Sequence, residues 1–384
     1  MGWPVSDSRP TDAAGWREKA RRFAADRVTP ISERIDREDR VPDDVVRALA
    51  SEGFLGLGIP TEWDGMGGDT RCAVAVFEEL SRSSAAIGVL LAVHLSVCAL
   101  PILTRGTPLQ RERFLRPLAR GERIGAFGLT EPGAGSDTAR LRTRYSKDGS
   151  GFTLEGTKMF ISNGASAGTV LLFATADPAL GHRGISAFIV PPGTPGFSVE
   201  QRFEKLGLRG SETVELVLHE VHLPPECLLG EEGEGLHIAL GALQGGRVGI
   251  ASCALGVAEA AFAEMLRSVA AHDDADWKRT ALARAFSDLA SARALVARAA
   301  EARDAGAPYV TDASVAKLVA SRAAVEIASA GVDVAGDSGP RGRAVAERLL
   351  RDARVFPIVE GTTEIQELIL ARSLLSPSPG RNPL

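Results

Sequence analysis

The sequence predicts a mostly helical α+β protein in three parts. These are an all-helical N-terminal domain over 1–122, a small antiparallel β domain over 123–230, and a C-terminal helical bundle over 231–384. Three observations carry this reading. Apolar residues recur at helical spacing through the first third. Near Gly125 the texture changes to short β-type runs separated by turn residues, and this lasts to about Pro224. Helical patterning returns near Gly233 in long Ala-rich stretches with short joins, which predicts an antiparallel bundle.

The chain has 384 residues, 45% hydrophobic and 24% charged, the balance of a soluble globular protein with a large core. A net charge of −5 disfavours nonspecific binding to nucleic acid or acidic membranes, so any phosphate-binding face is local. The four cysteines, Cys72, Cys98, Cys227 and Cys253, form no C-x-x-C pair and read as buried and reduced; no metal-ligating set is read. The sequence opens on no charged-then-apolar leader, and no uninterrupted apolar run reaches about 18 residues. A cytoplasmic location without a membrane span is the expectation.

Trp16, Ala20, Phe23, Val28, Ile31 and Ile35 lie on one helical face, with Pro30 as a kink. Val45, Val46 and Leu49 form a shorter face between Asp43 and Gly53, a cap at each end. Gly58 to Gly68 reads as a loop, after which Asp69 or Thr70 caps the next helix. Ala85 to Leu103 is apolar nearly all round and predicts a helix buried in the protein. His94 within it reads as a hydrogen-bonded core histidine rather than a catalytic one.

In the middle part the clearest strands are Val170–Thr175, Ile185–Val190, Phe197–Phe203 and Thr213–Leu218, with a hairpin turn at Lys147-Asp148-Gly149. They predict a barrel or sandwich of about 100 residues. The helix Ile238–Leu266 carries Gly241, Gly245, Gly246 and Gly249. Each costs about 1 kcal/mol relative to alanine, so their number predicts close approach of another helix or of a ligand. Helices near Asp276–Ala302 and Asp312–Val334 follow. The composition of Ser376–Leu384 predicts disorder.

The chemistry concentrates in three stretches. Phe127-Gly-Leu129-Thr130-Glu131-Pro132-Gly133-Ala-Gly135-Ser136-Asp137 delivers a hydroxyl from a strand into a loop. Its glycines let the backbone turn tightly and approach a ligand, and successive amides suit an anionic or heteroaromatic cofactor. It is not the G-x-G-x-x-G dinucleotide pattern. In Lys158-Met-Phe160-Ile-Ser162-Asn163-Gly164 an aromatic ring and a hydroxyl stand two apart on a strand, the kind of surface an isoalloxazine ring needs. Glu360-Gly361-Thr362-Thr363-Glu364-Ile365-Gln366 follows apolar Ile358 and Val359. A carboxylate desolvated there has a raised pKa and can act as a base, although a helix N-terminal carboxylate facing the macrodipole has the same pattern.

These residues together resemble the acyl-CoA dehydrogenase family from about Trp16 to Ala371. The motifs are Leu-Thr-Glu-Pro-Gly-Ala-Gly-Ser-Asp, Lys-Met-Phe-Ile-Ser-Asn-Gly, Lys205-Leu-Gly-Leu-Arg-Gly-Ser211, Gly246-Arg247-Val-Gly-Ile-Ala and Glu360-Gly361-Thr362. The fourth looks most like short-chain and branched-chain members. The resemblance implies FAD, held by Phe127, Leu129, Thr130, Gly135 and Ser136, by Phe160 and Ser162 near N5, and by Thr362 and Glu364. It implies substrate contacts at Ser136, Gln244, Arg247 and Gly361, and Glu360 as the base that removes the α-proton of an acyl thioester while a hydride leaves Cβ. Some relatives carry their base at the position occupied here by Gly246, where glycine cannot serve. An acyl-CoA, most simply short or branched, is the implied substrate, with an electron-transfer flavoprotein as acceptor and a homotetramer as assembly. The Ala- and Gly-rich helices of the last third, with more apolar face than one bundle needs, also point to a homo-oligomer.

The chain departs from the family pattern at His272–Arg279, Asp333–Gly339, Gln244 and Phe160, where an Arg-x-x-Phe-Gly, a Gln-x-x-Gly-Gly-x-Gly, an aspartate and a tryptophan are usual. In the family that the sequence resembles, the arginine of the first pattern reaches the cofactor pyrophosphate of a neighbouring subunit. A biosynthetic dehydrogenase acting on an acyl carrier protein therefore stands as the alternative. A flavin oxidase or monooxygenase fits Glu360 less well, and a DNA-associated relative would carry a basic extra domain that this acidic sequence lacks.

Overall fold

The computed structural model describes residues 10–271, 275–335 and 339–375. The expectation of disorder for Ser376–Leu384, and parts of the departures at His272–Arg279 and Asp333–Gly339, lie outside them. The N-terminal helices are α1 (Ala13–Phe23), α2 (Ser32–Glu38), α3 (Asp43–Ser51) and α4 (Thr70–Ser83). Between α1 and α2 the chain passes through a π turn at Ala24–Val28 and a 3₁₀ turn at Thr29–Ile31, because Pro30 cannot continue an α ladder. Pro42, not Asp43, caps α3, and Asp69 caps α4 by accepting from Cys72 N–H at 2.8 Å. Trp16, Phe23 and Phe54 meet at ring distances of 5.4 to 6.0 Å in the core of this part.

The buried helix runs as α5 (Ala85–Ala92), a π segment Val93–Ala99, and α6 (Leu100–Arg105). It and the long helix near the C-terminus are apolar and long enough to cross a membrane, but 89% and 72% of their apolar windows are buried inside the protein, as core helices are. His94 sits in the π segment, fully buried. Its Nδ1 accepts from Gly125 N–H at 3.0 Å, so Nε2 carries the proton donated to Leu55 O at 2.9 Å. Burial pushes its pKa down to about 4, so it is a neutral strut between the helix and the first strand. Two short helices, α7 (Pro108–Gln110) and α8 (Arg116–Ala119), complete this part.

The strands are β1 (Ile124–Gly128), β2 (Arg144–Asp148), β3 (Gly151–Ser162), β4 (Ala167–Thr175), β5 (Ile185–Val190), β6 (Phe197–Arg202), β7 (Thr213–Leu223) and β8 (Leu228–Leu229). They form one sheet in the order β6-β7-β3-β2-β4-β5-β8, with β1 joined to β4. Most pairings are antiparallel, but β1 and β2 both lie parallel to β4, a feature short apolar runs do not reveal. The hairpin turn lies one residue later than expected: Asp148 ends β2 and its carboxylate accepts from Ser150 and Gly151 N–H. All of β5 is buried, which explains its unbroken apolar run, whereas β6 is an exposed edge carrying Glu200 and Arg202.

The C-terminal bundle comprises α9 (Gly235–Ala271), α10 (Asp276–Asp304), α11 (Val310–Val334), α12 (Gly339–Ala353) and α13 (Thr363–Leu375). Helix α9 packs against α11, α4 and α10. Three of its four marked glycines are close approaches. A Cβ on Gly245 would lie 3.2 Å from the Arg303 guanidinium, one on Gly246 2.8 Å from the Glu360 carboxyl carbon, and one on Gly249 3.3 Å from Ser96 Oγ. Gly241 meets nothing within 4 Å and has no such explanation. All four cysteines are free and buried.

Candidate active site

Strand β1 ends at Gly128 and hands the chain to the Gly-rich loop. Phe127 is half-buried edge-on to Phe173, and Leu129 is buried. Thr130 O accepts from Met159 N–H at 2.8 Å. Glu131 and Ala134 exchange backbone hydrogen bonds of 3.0 and 3.1 Å, closing a tight turn around Pro132 and Gly133. Neither Gly133 nor Gly135 is among the residues with positive φ, and a Cβ on either would meet no atom within 4 Å. The turn therefore does not require glycine there. What glycine provides is bare, exposed backbone beside the equally exposed Ser136, the condition for close approach of a ligand.

Behind the loop Glu131 is a buried staple. Its Oε1 accepts from Lys158 Nζ at 2.6 Å and Thr143 N–H at 3.0 Å, and its Oε2 accepts from Arg142 N–H. Lys158, fully buried, also donates to Leu129 O at 3.3 Å. Burial opposes the charge on Glu131, but Lys158 and these donors outweigh it and hold the carboxyl below its ordinary range. Burial pushes Lys158 down to about 8 against the pull of Glu131.

Two residues on, β3 bulges. The ladder to β7 pairs Lys158 with Leu216 and Ile161 with Val214, three steps against two. Phe160 takes the left-handed conformation, φ 59°, at this extra residue. Lys158 points into the core while Phe160, of the same parity, is 58% exposed beside Phe203 at 4.8 Å. Ile161 is buried and Ser162 half-buried. An outward aromatic ring next to bare loop backbone fits a flat heteroaromatic cofactor with an anionic tail.

The third stretch is a strained turn between α12 and α13. Glu360 has φ 55°, which costs a non-glycine residue about 1–2 kcal/mol, and Gly361 follows at φ 91°. Glu360 is half-buried overall, but its Oε2 is covered and without a hydrogen-bond partner. Burial pushes its pKa up to about 7, opposed by the nearby charges of Arg247 and Lys317. The cap of α13 is Thr362, whose Oγ1 accepts from Ile365 N–H at 3.4 Å, and the exposed first-turn acid is Glu364, which the Thr362 hydroxyl holds below its ordinary range. Those two residues take the helix-terminus role that the pattern also allowed for Glu360. Gly361 points its carbonyl inward, to Lys317 and Gln366.

Facing this turn, α9 brings Gly246 and Arg247. Arg247 is only 5% exposed, its Nε has no partner among the described residues, and burial pushes its pKa down against the pull of Glu360. Gln244 is half-buried three residues earlier. The structure thus gathers Glu360, Gly361, Gly246 and Arg247 at one place, and Phe160, Ser162 and the 129–136 loop along the sheet. Sequence reasoning gave no role of their own to Lys158, Glu131 and Gln366, which lie within its motif stretches, and missed Lys317. For Lys317 a signal existed, a lysine within the apolar stripe Ala313, Ala316, Ala320 and Ala324.

The arrangement is a three-part protein with a carboxylate raised by burial at one helix-bound turn and an exposed aromatic ring beside a glycine-rich loop on the sheet. Residues 11–122, 126–221 and 233–375 match the N-terminal, middle and C-terminal domains of acyl-CoA dehydrogenase. The chain is 40% identical over 365 residues to the short-chain specific acyl-CoA dehydrogenase of Clostridium acetobutylicum, covering 92% of this chain and 96% of that one. It superposes on butyryl-CoA dehydrogenase from Megasphaera elsdenii with a TM-score of 0.92 at 35% identity, over 98% of this chain and 100% of that one. The prolyl acyl carrier protein oxidase AnaB superposes with a TM-score of 0.90 at 29% identity, over 96% and 100%. The chain belongs to the acyl-CoA dehydrogenase family, oxidoreductases acting on CH–CH bonds.

Proposed function

We propose that the protein oxidises the Cα–Cβ bond of a short acyl-CoA, with FAD as cofactor and Glu360 as the base. The observation that carries this is the Glu360 carboxylate, with no hydrogen-bond donor among the described residues, lying against side-chain-free Gly246 and titrating near 7. A carboxylate with a covered, unsatisfied oxygen is poised to take a proton from carbon. Its backbone N–H has no acceptor among the described residues either, and so suits the thioester oxygen, where negative charge develops as the α-proton leaves. Arg247, with an unpartnered Nε, supports a substrate contact beside it, joined by Ser136, Gln244 and Gly361.

Phe160, Ser162, the Phe127–Ser136 loop, Thr362 and Glu364 would hold FAD, and the exposed ring and bare glycine backbone fit it. Bound there, FAD supplies a hydride acceptor for Cβ. Short acyl groups suit the site because one turn beyond Gly246 the helices close. A Cβ on Gly249 would lie 3.4 Å from both Phe77 and Ala92. An electron-transfer flavoprotein as acceptor and a homotetramer complete the reading.

The test is Glu360→Gln in flavin-loaded protein. Reduction of the flavin by butyryl-CoA, followed anaerobically by stopped flow, is expected to slow about 10²–10⁴-fold with flavin content unchanged. Reduction near the wild-type rate would remove Glu360 from the chemistry. The likeness to a carrier-protein oxidase supports a second reading, in which the acyl group arrives on a carrier protein. Product mass after exposure to paired CoA and carrier thioesters separates the two.

A further inference from the structure

The Glu360 turn is held by a buried lysine that none of the sequence motifs contains. Lys317 projects from α11 and is fully buried. Its ammonium donates to Pro357 O at 3.1 Å and to Gly361 O at 2.7 Å, the carbonyls on either side of the base. Gln366, also fully buried, adds Nε2 bonds to Glu360 O at 3.2 Å and Gly361 O at 3.0 Å. One helical turn along α11, Ser321 Oγ donates to Phe356 O at 3.3 Å. The carbonyls of Phe356, Pro357, Glu360 and Gly361 are thus all drawn toward α11 or α13. On the other side of the turn, the Glu360 carboxylate lies against Gly246, beside Val97.

A buried lysine bonded only to carbonyls is an expensive way to hold a turn, since burial opposes its charge and neutral donors could make the same bonds. The arrangement gains its point from the charge. We propose that Lys317 is a positioning residue for the reaction: it locks Glu360 in its left-handed conformation and supplies the positive charge that sustains the carboxylate between turnovers. This rests on Glu360 being the base. The charged or titratable groups facing Glu360 are Arg247 from α9 and Lys317 from α11; behind them Tyr309 acts on Arg247 and Glu364 on Lys317. Burial pushes Lys317 down to about 8, near the working range of its neighbour.

The experiment is the pH profile of kcat and KM for flavin-loaded Lys317→Met with butyryl-CoA, beside wild type and Glu360→Gln. Loss of a nearby positive charge disfavours the carboxylate, so the acidic limb of kcat is expected to move up by about one pH unit. Above that limb kcat is expected to fall about tenfold with KM little changed, since orientation rather than binding is lost. An infrared titration of the Glu360 carboxyl band, identified by difference from Glu360→Gln, is expected to show the same upward move without any turnover. Gln366→Leu loosens the turn without removing charge and is expected to lower kcat with the limb in place. If Lys317→Met does not fold, Lys317→Arg decides: it keeps the charge but misplaces the donors, and a lowered kcat with an unmoved limb is expected. Wild-type kcat and limb in folded Lys317→Met, or wild-type kcat in Lys317→Arg, would overturn the proposal. Activity retained in Glu360→Gln would instead overturn the assignment of the base.

Discussion

Glu131 and Glu360 are both carboxylates withdrawn from water, and the fold treats them oppositely. Glu131 accepts from a buried ammonium and two backbone amides, and its pKa lies below the ordinary range. Glu360 accepts nothing among the described residues, and its pKa is pushed up to about 7. The first is satisfied and therefore structural: it pins the loop after β1 to β3. The second is left unsatisfied within a strained turn, and that is the state a base requires. Environments that drive two carboxyls apart are the ground on which Glu360, and not Glu131, is proposed as the base.

The largest effect that tests this contrast is loss of turnover in Glu360→Gln, about 10²–10⁴-fold. The matching change at the other carboxylate, Glu131→Gln, strands the Lys158 ammonium in the core. It is expected to cost about 3–5 kcal/mol of stability, read from urea unfolding, and to release flavin as the loop loses its anchor. Adding Lys158→Met removes the stranded charge and is expected to recover much of the stability. If Glu131→Gln costs nothing in stability while turnover falls, the two carboxylates do not divide the work in this way.

A third buried group sharpens the comparison because it is satisfied only when neutral. His94 spans Gly125 N–H and Leu55 O, and burial holds its pKa at about 4 against an ordinary 6.5. Its folded pKa is depressed, so its contribution is complete above pH 6.5 and is lost as pH falls toward 4. The loss amounts to about 3 kcal/mol, because a tenfold change in proton affinity is worth about 1.4 kcal/mol. His94→Gln is expected to lack that part of the acid destabilisation in unfolding curves measured between pH 4 and 7. An unchanged slope would place the acid sensitivity elsewhere.

Much of this was legible in the sequence because the signals were local. The glycine-rich loop, Glu360 after two apolar residues, and the close-approach glycines Gly245, Gly246 and Gly249 of α9 all stand out within a few positions. The core role of His94 followed from the apolar run around it. What stayed hidden depends on contacts across the fold. Phe160 faces outward because of a bulge that no glycine announces, and strand alternation counted from Lys158 would have turned it inward. The parallel pairing of β1 with β4 joins segments some forty residues apart. Lys317 gains its meaning only from carbonyls that α11 meets through the packing of the bundle.

The smallest expected effect asks whether the unsatisfied state of Glu360 carries a cost. Its folded pKa, about 7, lies above the ordinary 4.5, so the folded protein holds a proton there that the unfolded chain releases. Stability from this group is complete below pH 4.5, falls as pH rises to about 7, and stays reduced beyond. Taken whole, that rise in pKa would correspond to about 3 kcal/mol, but the residue is only half-buried, and screening leaves on the order of 1–2 kcal/mol. Glutamine carries no such charge. Glu360→Gln and wild type, at equal flavin content, are therefore expected to show a stability difference that grows with pH between 4.5 and 7 in favour of the glutamine form. Any constant offset from the buried amide cancels, because only the slope with pH is read. The direction is opposite to that for an ordinary structural carboxylate such as Glu131, whose removal should hurt more as pH rises. A flat difference, or one growing in favour of the glutamate, would mean that Glu360 is solvated or paired in solution and that the contrast between the two carboxylates does not hold.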